Sequence, residues 1–386
     1  MKRSTKPILS LLLLIVAAAT LSCRLAVVGW RFALIQSLPM AVVVPRWNAT
    51  LLKHAAIDFE EAQFKKEVEQ LMEANFWNQG RHRSFLSSGR HKQLDIWLRL
   101  SRGLPVQIRS PQFYRLWLAF RKNLHDWWRN KRFEPDIMSQ LVTLVRTPID
   151  QQTNTLVGPM RRYSSCAVVG NSGILLKSEY GNLIDSHEMV IRLNNARIDG
   201  FEHNVGSKTG ISFINSNILR QCARKVGCFC SPYGATVPIV MYICQAVHFM
   251  DYTLCNSSQT APLVVTDLRF DVLCARIVKY YSMKRFVEVM KKPLEEWTSA
   301  HDGSLFHYSS GMQAVMLSLG ICEKVSMFGF GKSDAAKHHY HTNQKAELRL
   351  HDYEAEYQLY HDLVDRPQVI PFISDKFKFP PVVMYR

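Results

Sequence analysis

From about Val157 onward, short β-branched runs alternate with helical stretches and Gly/Ser/Asn turns, a texture that restricts the fold to a mostly parallel sheet flanked by helices. Strands are expected at Cys166–Val169, Met189–Leu193, Gly210–Ile214, Val237–Tyr242, Pro262–Val265 and Lys324–Phe328. With 386 residues, 47% of them hydrophobic and 21% charged, the chain can bury a full α/β core, and disordered or collagen-like classes are excluded. This places an α/β domain at 158–386, where any active site belongs.

Upstream, 29–157 reads as a stem with helical elements and no glycine-rich nucleotide loop. The stripe Ile57, Phe64, Val68, Leu71 and Met72 predicts a helix near Ile57–Phe76, with Glu61 and Lys65 four apart. Phe113, Leu116, Trp117, Phe120, Leu124 and Trp127 predict another near Phe113–Trp128. Formal net charge is +16, and between Arg81 and Arg132 thirteen Lys/Arg face only two acids. Such an excess suits anionic partners, nucleic acid among them. The aromatics nevertheless keep a helix-core period and do not space out as a base-stacking platform, so a basic amphipathic helix packed on the next domain or facing a membrane is the better reading, with no nucleic-acid partner.

Lys2, Arg3 and Lys6 precede an apolar run from Pro7 to Cys23, then Arg24 and Leu25–Val28. We read residues 1–6 as a cytoplasmic tail and 7–28 as a single-pass type II signal-anchor; a cleaved signal peptide, with Ala17-Ala18-Ala19 near its cleavage site, is the alternative. Either way the body is lumenal or extracellular. Of nine cysteines one, Cys23, lies in this run, and the even remainder suits disulfides in an oxidising compartment. The sequons Asn48-Ala49-Thr50 and Asn256-Ser257-Ser258 point the same way and make Asn48 and Asn256 candidate glycosylation sites.

Four segments carry polar chemistry. In Cys166–Leu176 an apolar strand runs into Gly170-Asn171-Ser172-Gly173, so backbone N–H groups and the Asn171 amide can face a ligand at the strand's C-terminal edge; a plain strand-turn has the same pattern. Val190–Ala196 ends a strand in two amides, Asn194 and Asn195, each able to donate and accept toward a ribose or a base. Tyr308-Ser309-Ser310-Gly311 opens a helix with a natural N-cap, and its free N–H groups form an anion site unless it is an ordinary capped core helix. Last come His338-His339-Tyr340-His341 and His351–Glu356. No HExxH pattern and no Asp-x-Asp pair accompany these histidines, so a metal site is disfavoured and acid–base work around a phosphate leaving group is preferred.

In this order the four segments resemble the sialyl motifs of the animal-type sialyltransferases, glycosyltransferase family 29: the large motif is similar to Cys166–Asn215, the small motif to Tyr308–Phe330, the third to His338–His341, and the very small motif, His-x₄-Glu, to His351–Glu356. His-His-Tyr-His and Tyr-Ser-Ser-Gly are closest in look to the plant sialyltransferase-like members. The resemblance implies a Golgi type II enzyme with a variant GT-A, Rossmann-like domain, inverting and metal-independent, whose donor is a CMP-activated sugar acid and whose only cofactor-like partner is that nucleotide sugar. It implies that Asn171 and Asn194 contact the donor's ribose, phosphate and cytosine, that Ser309, Ser310 and Gly311 bind its carboxylate and phosphate, and that a cationic His339 stabilises the departing phosphate. His351 is then the base. The resemblance also implies a disulfide between Cys166 and Cys322.

Three functions are compatible with these residues. The first is transfer of sialic acid from CMP-sialic acid to a galactose-terminated glycan. The second keeps the fold and base but moves another sugar, such as galactose onto an arabinogalactan or 3-deoxy-octulosonate onto a pectic chain. The third is a catalytically silent lumenal glycan-binding protein, against which stands the presence of His339, His351 and the Ser309–Gly311 turn.

Overall fold

The computed structural model describes residues 47–58, 61–72, 111–129, 133–134, 136–152, 161–218, 231–249, 252–253, 255, 260–301, 306–333, 335–342, 348, 350–373 and 376–386, with isolated positions at 18, 20 and 22. Two units divide the chain, Met1–Arg46 and Trp47–Arg386, and everything below concerns the second. The anchor expected at 7–28 and the sequon at Asn256 lie outside the described residues. Among those described, no helix is long and apolar enough to cross a membrane.

Seven strands form one parallel sheet: β1 Cys166–Val169, β2 Met189–Leu193, β3 Ile211–Asn215, β4 Ile239–Tyr242, β5 Leu263–Val265, β6 Val325–Phe328 and β7 Val382–Tyr385. Their order, β5-β4-β3-β2-β1-β6-β7, shows how the chain winds. It runs outward from β1 to β5, then returns to the far side of β1 for β6 and β7. The order therefore reverses at the β1/β6 seam, and the crevice beyond the C-terminal ends of these two strands is where such sheets bind ligands.

Helices α1 Ala49–Ala55, α2 Glu61–Met72, α3 Pro111–Arg129, α4 Ile137–Leu141 and α5 Thr147–Gln152 precede the sheet, with a π turn, Val142–Arg146, joining the last two. Within and after it come α6 Gly181–Asp185, α7 Glu202–Val205, α8 Leu268–Glu288, α9 Trp297–Ala300, α10 Ser310–Ile321 and α11 Tyr353–Asp365. α10 is buried along its whole length, since its sequence is apolar on every face. It lies against the face of the sheet that carries Val168, Ile191, Phe213 and Val240. Leu51, Ala55, Ile137, Leu141 and Ile149, from the segment read above as stem, belong to that same core. On the other face Ala167, Val169 and Val190 pack with Leu175, Ile184, Val205 and Phe328.

The strands β3 to β6 begin one or two residues later than the sequence pattern suggests. For β4 and β5 the cause is proline, which has no N–H to give the ladder. Pro238 and Pro262 instead sit just before those strands and offer their carbonyls, to Ser212 N–H and Ile239 N–H, both at 2.8 Å. The final strand, β7, is absent from the sequence-based expectation. It follows Pro380-Pro381, and Val325 N–H bonds the Pro381 carbonyl at 3.0 Å.

The expected upstream helices are present with altered limits. α2 spans Glu61–Met72, and Ile57 lies outside it, 43% exposed, beyond the end of α1. Val68 and Leu71 of α2 pack with Phe120, Leu124 and Trp127 of α3 against Ile214, Ile239 and Met241 of the sheet. The basic helix is thus docked against β3 and β4 by the C-terminal part of its stripe, Phe120, Leu124 and Trp127. Asn48, the first sequon residue, is exposed and caps α1, its side-chain oxygen accepting from Thr50 and Leu51 N–H at 3.0 and 3.2 Å.

Cys166, the first residue of β1, is disulfide-bonded to Cys322, between α10 and β6, with Cα atoms 6.0 Å apart. Cys255 is also disulfide-bonded. Cys244 and Cys274 are free, so the even count does not translate into complete pairing. Cys274 is buried and Cys244 half-buried, and desolvation pushes both thiols upward.

Candidate active site

Three loops leave the sheet at the switch point. The turns after β1 and β6 touch along Gly170 and Gly329: a Cβ on Gly170 would lie 2.7 Å from the Gly329 carbonyl oxygen, and Gly329 has φ +72°. Only glycine permits both the close approach and the left-handed backbone. The loop then continues through Ser172, whose N–H bonds Gly329 O, and Gly173, whose N–H bonds Lys337 O at 2.9 Å. The histidine segment is therefore laid beside the β1 turn. Asn171 completes the contact, its carbonyl accepting from Tyr340 N–H at 2.8 Å, while its side-chain oxygen is buried with no hydrogen-bond partner. A buried amide left open at a strand end is a group that a polar ligand can satisfy.

The start of α10 is fixed by a carboxylate. Ser309 is the N-cap, its Oγ accepting from Met312 N–H at 3.1 Å. Its own N–H and hydroxyl donate to the two oxygens of Glu356 at 2.7 and 2.5 Å, and Tyr360 O–H donates to Glu356 Oε2 at 3.1 Å. Burial raises the Glu356 carboxyl, opposed by His351 and by these hydrogen bonds. Ser309 is thus hydrogen-bonded within the protein through both its backbone N–H and its hydroxyl. Ser310 Oγ gathers Asn194 Nδ2 at 3.3 Å, Asn215 Nδ2 at 3.0 Å and Tyr242 O–H at 3.3 Å. Asn194 has φ +52°, a conformation asparagine tolerates better than most residues, and its Oδ1 accepts from Asn215 N–H at 3.1 Å. Gly311 is closely packed, since a Cβ there would lie 3.1 Å from Phe330 Cε1 and 3.5 Å from Leu193 Cδ1.

Asn215 and Tyr242 extend the expected set. Each lies at the C-terminal end of its strand, as Asn194 does, and that position is the signal that sequence reading had available for Asn215. For Tyr242 no motif existed.

His351 stands directly before α11; the N-cap is Asp352, not the histidine, with Asp352 Oδ1 accepting from Ala355 N–H at 3.2 Å. The His351 ring is held by Nδ1 against the carbonyl oxygen of His307 at 2.8 Å. Because a carbonyl can only accept, Nδ1 carries the proton and Nε2 of the neutral ring keeps a lone pair. His351 and the start of α10 are thereby brought together twice, through His307 and through Glu356. Tyr353 links this group to the third motif, its ring 5.5 Å from His351 and 5.2 Å from His338.

His338, His339 and His341 stack in series, at 4.5 and 5.7 Å between ring centroids. Burial pushes His339 below its ordinary value and takes His341 down to about 4, with His339 and Arg197 adding to the shift. That burial favours the neutral ring of His339, and Thr342 Oγ1 lies 3.4 Å from its Nδ1. Among the described residues no group of three or more His, Cys, Asp or Glu stands where it could hold a metal ion.

Beneath α10, Gln313 Nε2 donates to Asp271 of α8, and Gln313 Oε1 is buried without a partner. Burial pushes the Asp271 carboxyl up to about 7. A folded value raised above the ordinary 3.8 means that the neutral acid fits the native state better, so its stabilising contribution is full below that pH and is lost as pH rises through about 7. Asp271→Asn should remove this slope. Melting temperatures of wild type, measured from about pH 5 to pH 8, are expected to fall relative to those of the variant.

A parallel sheet with a polar crevice at its switch point, bordered by the start of α10 and by His351, is the architecture of a group-transfer enzyme of the α/β class. Residues 116–367 match the profile of glycosyltransferase family 29 (sialyltransferase), and the chain belongs to that family. It is a glycosyltransferase. Over 397 aligned residues, covering 100% of both chains, it is 54% identical to a β-1,6-galactosyltransferase of Arabidopsis thaliana. It is 49% identical over 360 residues, 88% of each chain, to sialyltransferase-like protein 1 of Oryza sativa subsp. japonica. A crystal structure of a mammalian sialyltransferase aligns at a TM-score of 0.39 and 23% identity, covering 72% of this chain and 85% of that one.

Proposed function

We propose that the protein is an inverting galactosyltransferase that moves galactose from a nucleotide-activated donor, UDP-galactose, onto a galactan-type acceptor such as an arabinogalactan. The observation that carries this reading is the end-to-end similarity to a β-1,6-galactosyltransferase, which extends through the crevice and beyond the family's motifs. A CMP-activated sugar acid, CMP-sialic acid, is the second reading, favoured by the four sialyl motifs.

In either case the chemistry is one displacement. The acceptor hydroxyl gives its proton to His351 Nε2 while its oxygen forms the bond to the anomeric carbon. The bond from that carbon to the donor phosphate breaks on the opposite face, and the nucleotide leaves with the electron pair. Negative charge grows on the phosphate, and the N–H groups of Ser310 and Gly311 at the positive end of α10 stabilise it more in the transition state than before. Asn171, Asn194 and Asn215 seat the nucleotide, and His339 donates to the phosphate, whose charge favours its protonation. The protein acts in the Golgi lumen, held by a type II anchor at 7–28, and the Cys166–Cys322 bond supports an oxidising compartment.

Purified protein is offered UDP-galactose, CMP-sialic acid and CMP-3-deoxy-octulosonate with a galactan oligosaccharide and a galactose-terminated glycan, all in EDTA. Galactose transfer at an unchanged rate in EDTA is expected. Transfer only from a CMP-sugar overturns the donor, and turnover only after Mn²⁺ is added overturns the metal-free mechanism.

A further inference from the structure

His351 lies outside α11 and receives none of that helix's hydrogen bonds, so something else must fix its angle. The His307 carbonyl holds the ring on one side. On the other, the adjoining residue, Asp352, is caged. Its Oδ2 accepts the Ser282 hydroxyl at 2.7 Å, and Ser282 Oγ accepts Trp297 Nε1–H at 3.0 Å. Ser282 and Trp297 are both fully buried, at 0% exposure. The indole N–H can only donate, so the serine hydroxyl is left a single direction for its own proton, toward Asp352. Arg285 at 3.4 Å and His301 at 3.8 Å face the same carboxylate, and His301 stacks on Trp297 with ring centroids 5.1 Å apart. Three helices, α8, α9 and α11, thus meet around the carboxylate of the residue beside His351.

We infer that Trp297, Ser282 and Asp352 form a positioning relay for His351, in which buried hydrogen bonds running from α9 through α8 hold the first turn of α11 so that Nε2 points at the acceptor hydroxyl. This rests on the reading of His351 as the base. Ser282 and Trp297 belong to none of the four motifs, and Ser282 reaches the motif segment through Asp352. They act on geometry alone. Displacing a catalytic group by about 1 Å costs on the order of 100-fold in rate, whereas substrate affinity, set elsewhere in the crevice, is spared.

Ser282→Ala removes the two hydrogen bonds of the serine hydroxyl, and Trp297→Phe removes the one the indole donates, the smaller ring leaving part of the indole's space empty. The two variants, their double and His351→Ala are compared in the full-length protein for kcat, for KM of the donor that proves active, and for calorimetric binding of the free nucleotide. We expect kcat to fall about tenfold or more in each single variant, with KM and nucleotide affinity close to wild type. The double variant should be no slower than the worse single one, as links in series require. Wild-type kcat in both singles overturns the relay, and so do losses that multiply in the double or a parallel fall in nucleotide affinity. His351→Ala separates the two levels: an inactive His351→Ala beside fully active relay variants removes only the relay, whereas turnover in His351→Ala removes the base itself.

Discussion

Replacing His351 by alanine is expected to lower turnover about a thousandfold while nucleotide affinity stays near that of wild type. The size follows from the role, since a positioned general base contributes roughly 10²–10⁴ in rate. The sparing of affinity follows from the structure. The hydroxyl and amides around Ser310 are braced by Asn194, Asn215 and Tyr242, none of which contacts His351 in the bonds described. Glu356, which fixes Ser309, lies one turn further along α11 and keeps its own partners. Steady-state kinetics paired with calorimetry of the free nucleotide distinguishes this outcome from general collapse, in which both quantities fall together. Wild-type kcat in the variant would withdraw the base assignment.

The largest effect on stability is expected from the Cys166–Cys322 bond. The linked residues are 156 apart in sequence, and in the chain-entropy account a loop of that size contributes about 5 kcal/mol, although enthalpic terms make the figure model-dependent. Both cysteines are completely buried, so alanine is the proper replacement and leaves no orphaned hydroxyl in the core. A Cys166→Ala, Cys322→Ala chain should unfold in urea at a clearly lower midpoint, and wild type treated with reductant should shift toward it. A shift under about 1 kcal/mol would mean that strand packing alone holds the β1/β6 seam.

The α/β class and six strands were legible because parallel strands are buried on both faces and so read as short apolar runs. β7 has the same composition, Val382-Val383-Met384-Tyr385, but it stands after two prolines at the end of the chain, with no helix pattern to bracket it. Ser309, Ser310 and the His351 segment were legible as a cap and a motif. Their coupling was not. The Glu356–Ser309 pair joins residues 47 apart, and nothing local to either marks the other. Burial was equally invisible: the sequence suggested a cationic His339, whereas its desolvation emerges only when the third motif is laid beside the β1 turn. Tyr242, Ser282 and Trp297 fall in segments that carry no motif, and their importance lies wholly in what the fold places beside them.

The bond between Cys166 and Cys322 also has a consequence in time. Cys166 is synthesised first, and Cys222, Cys228, Cys230, Cys244, Cys255 and Cys274 all emerge before its partner does. In an oxidising environment Cys166 is exposed to six other thiols before its own partner exists, and two of those six, Cys244 and Cys274, finish unbonded. Any wrong pairing made in that interval is undone by thiolate attack, a reaction of seconds to hours unless an isomerase assists.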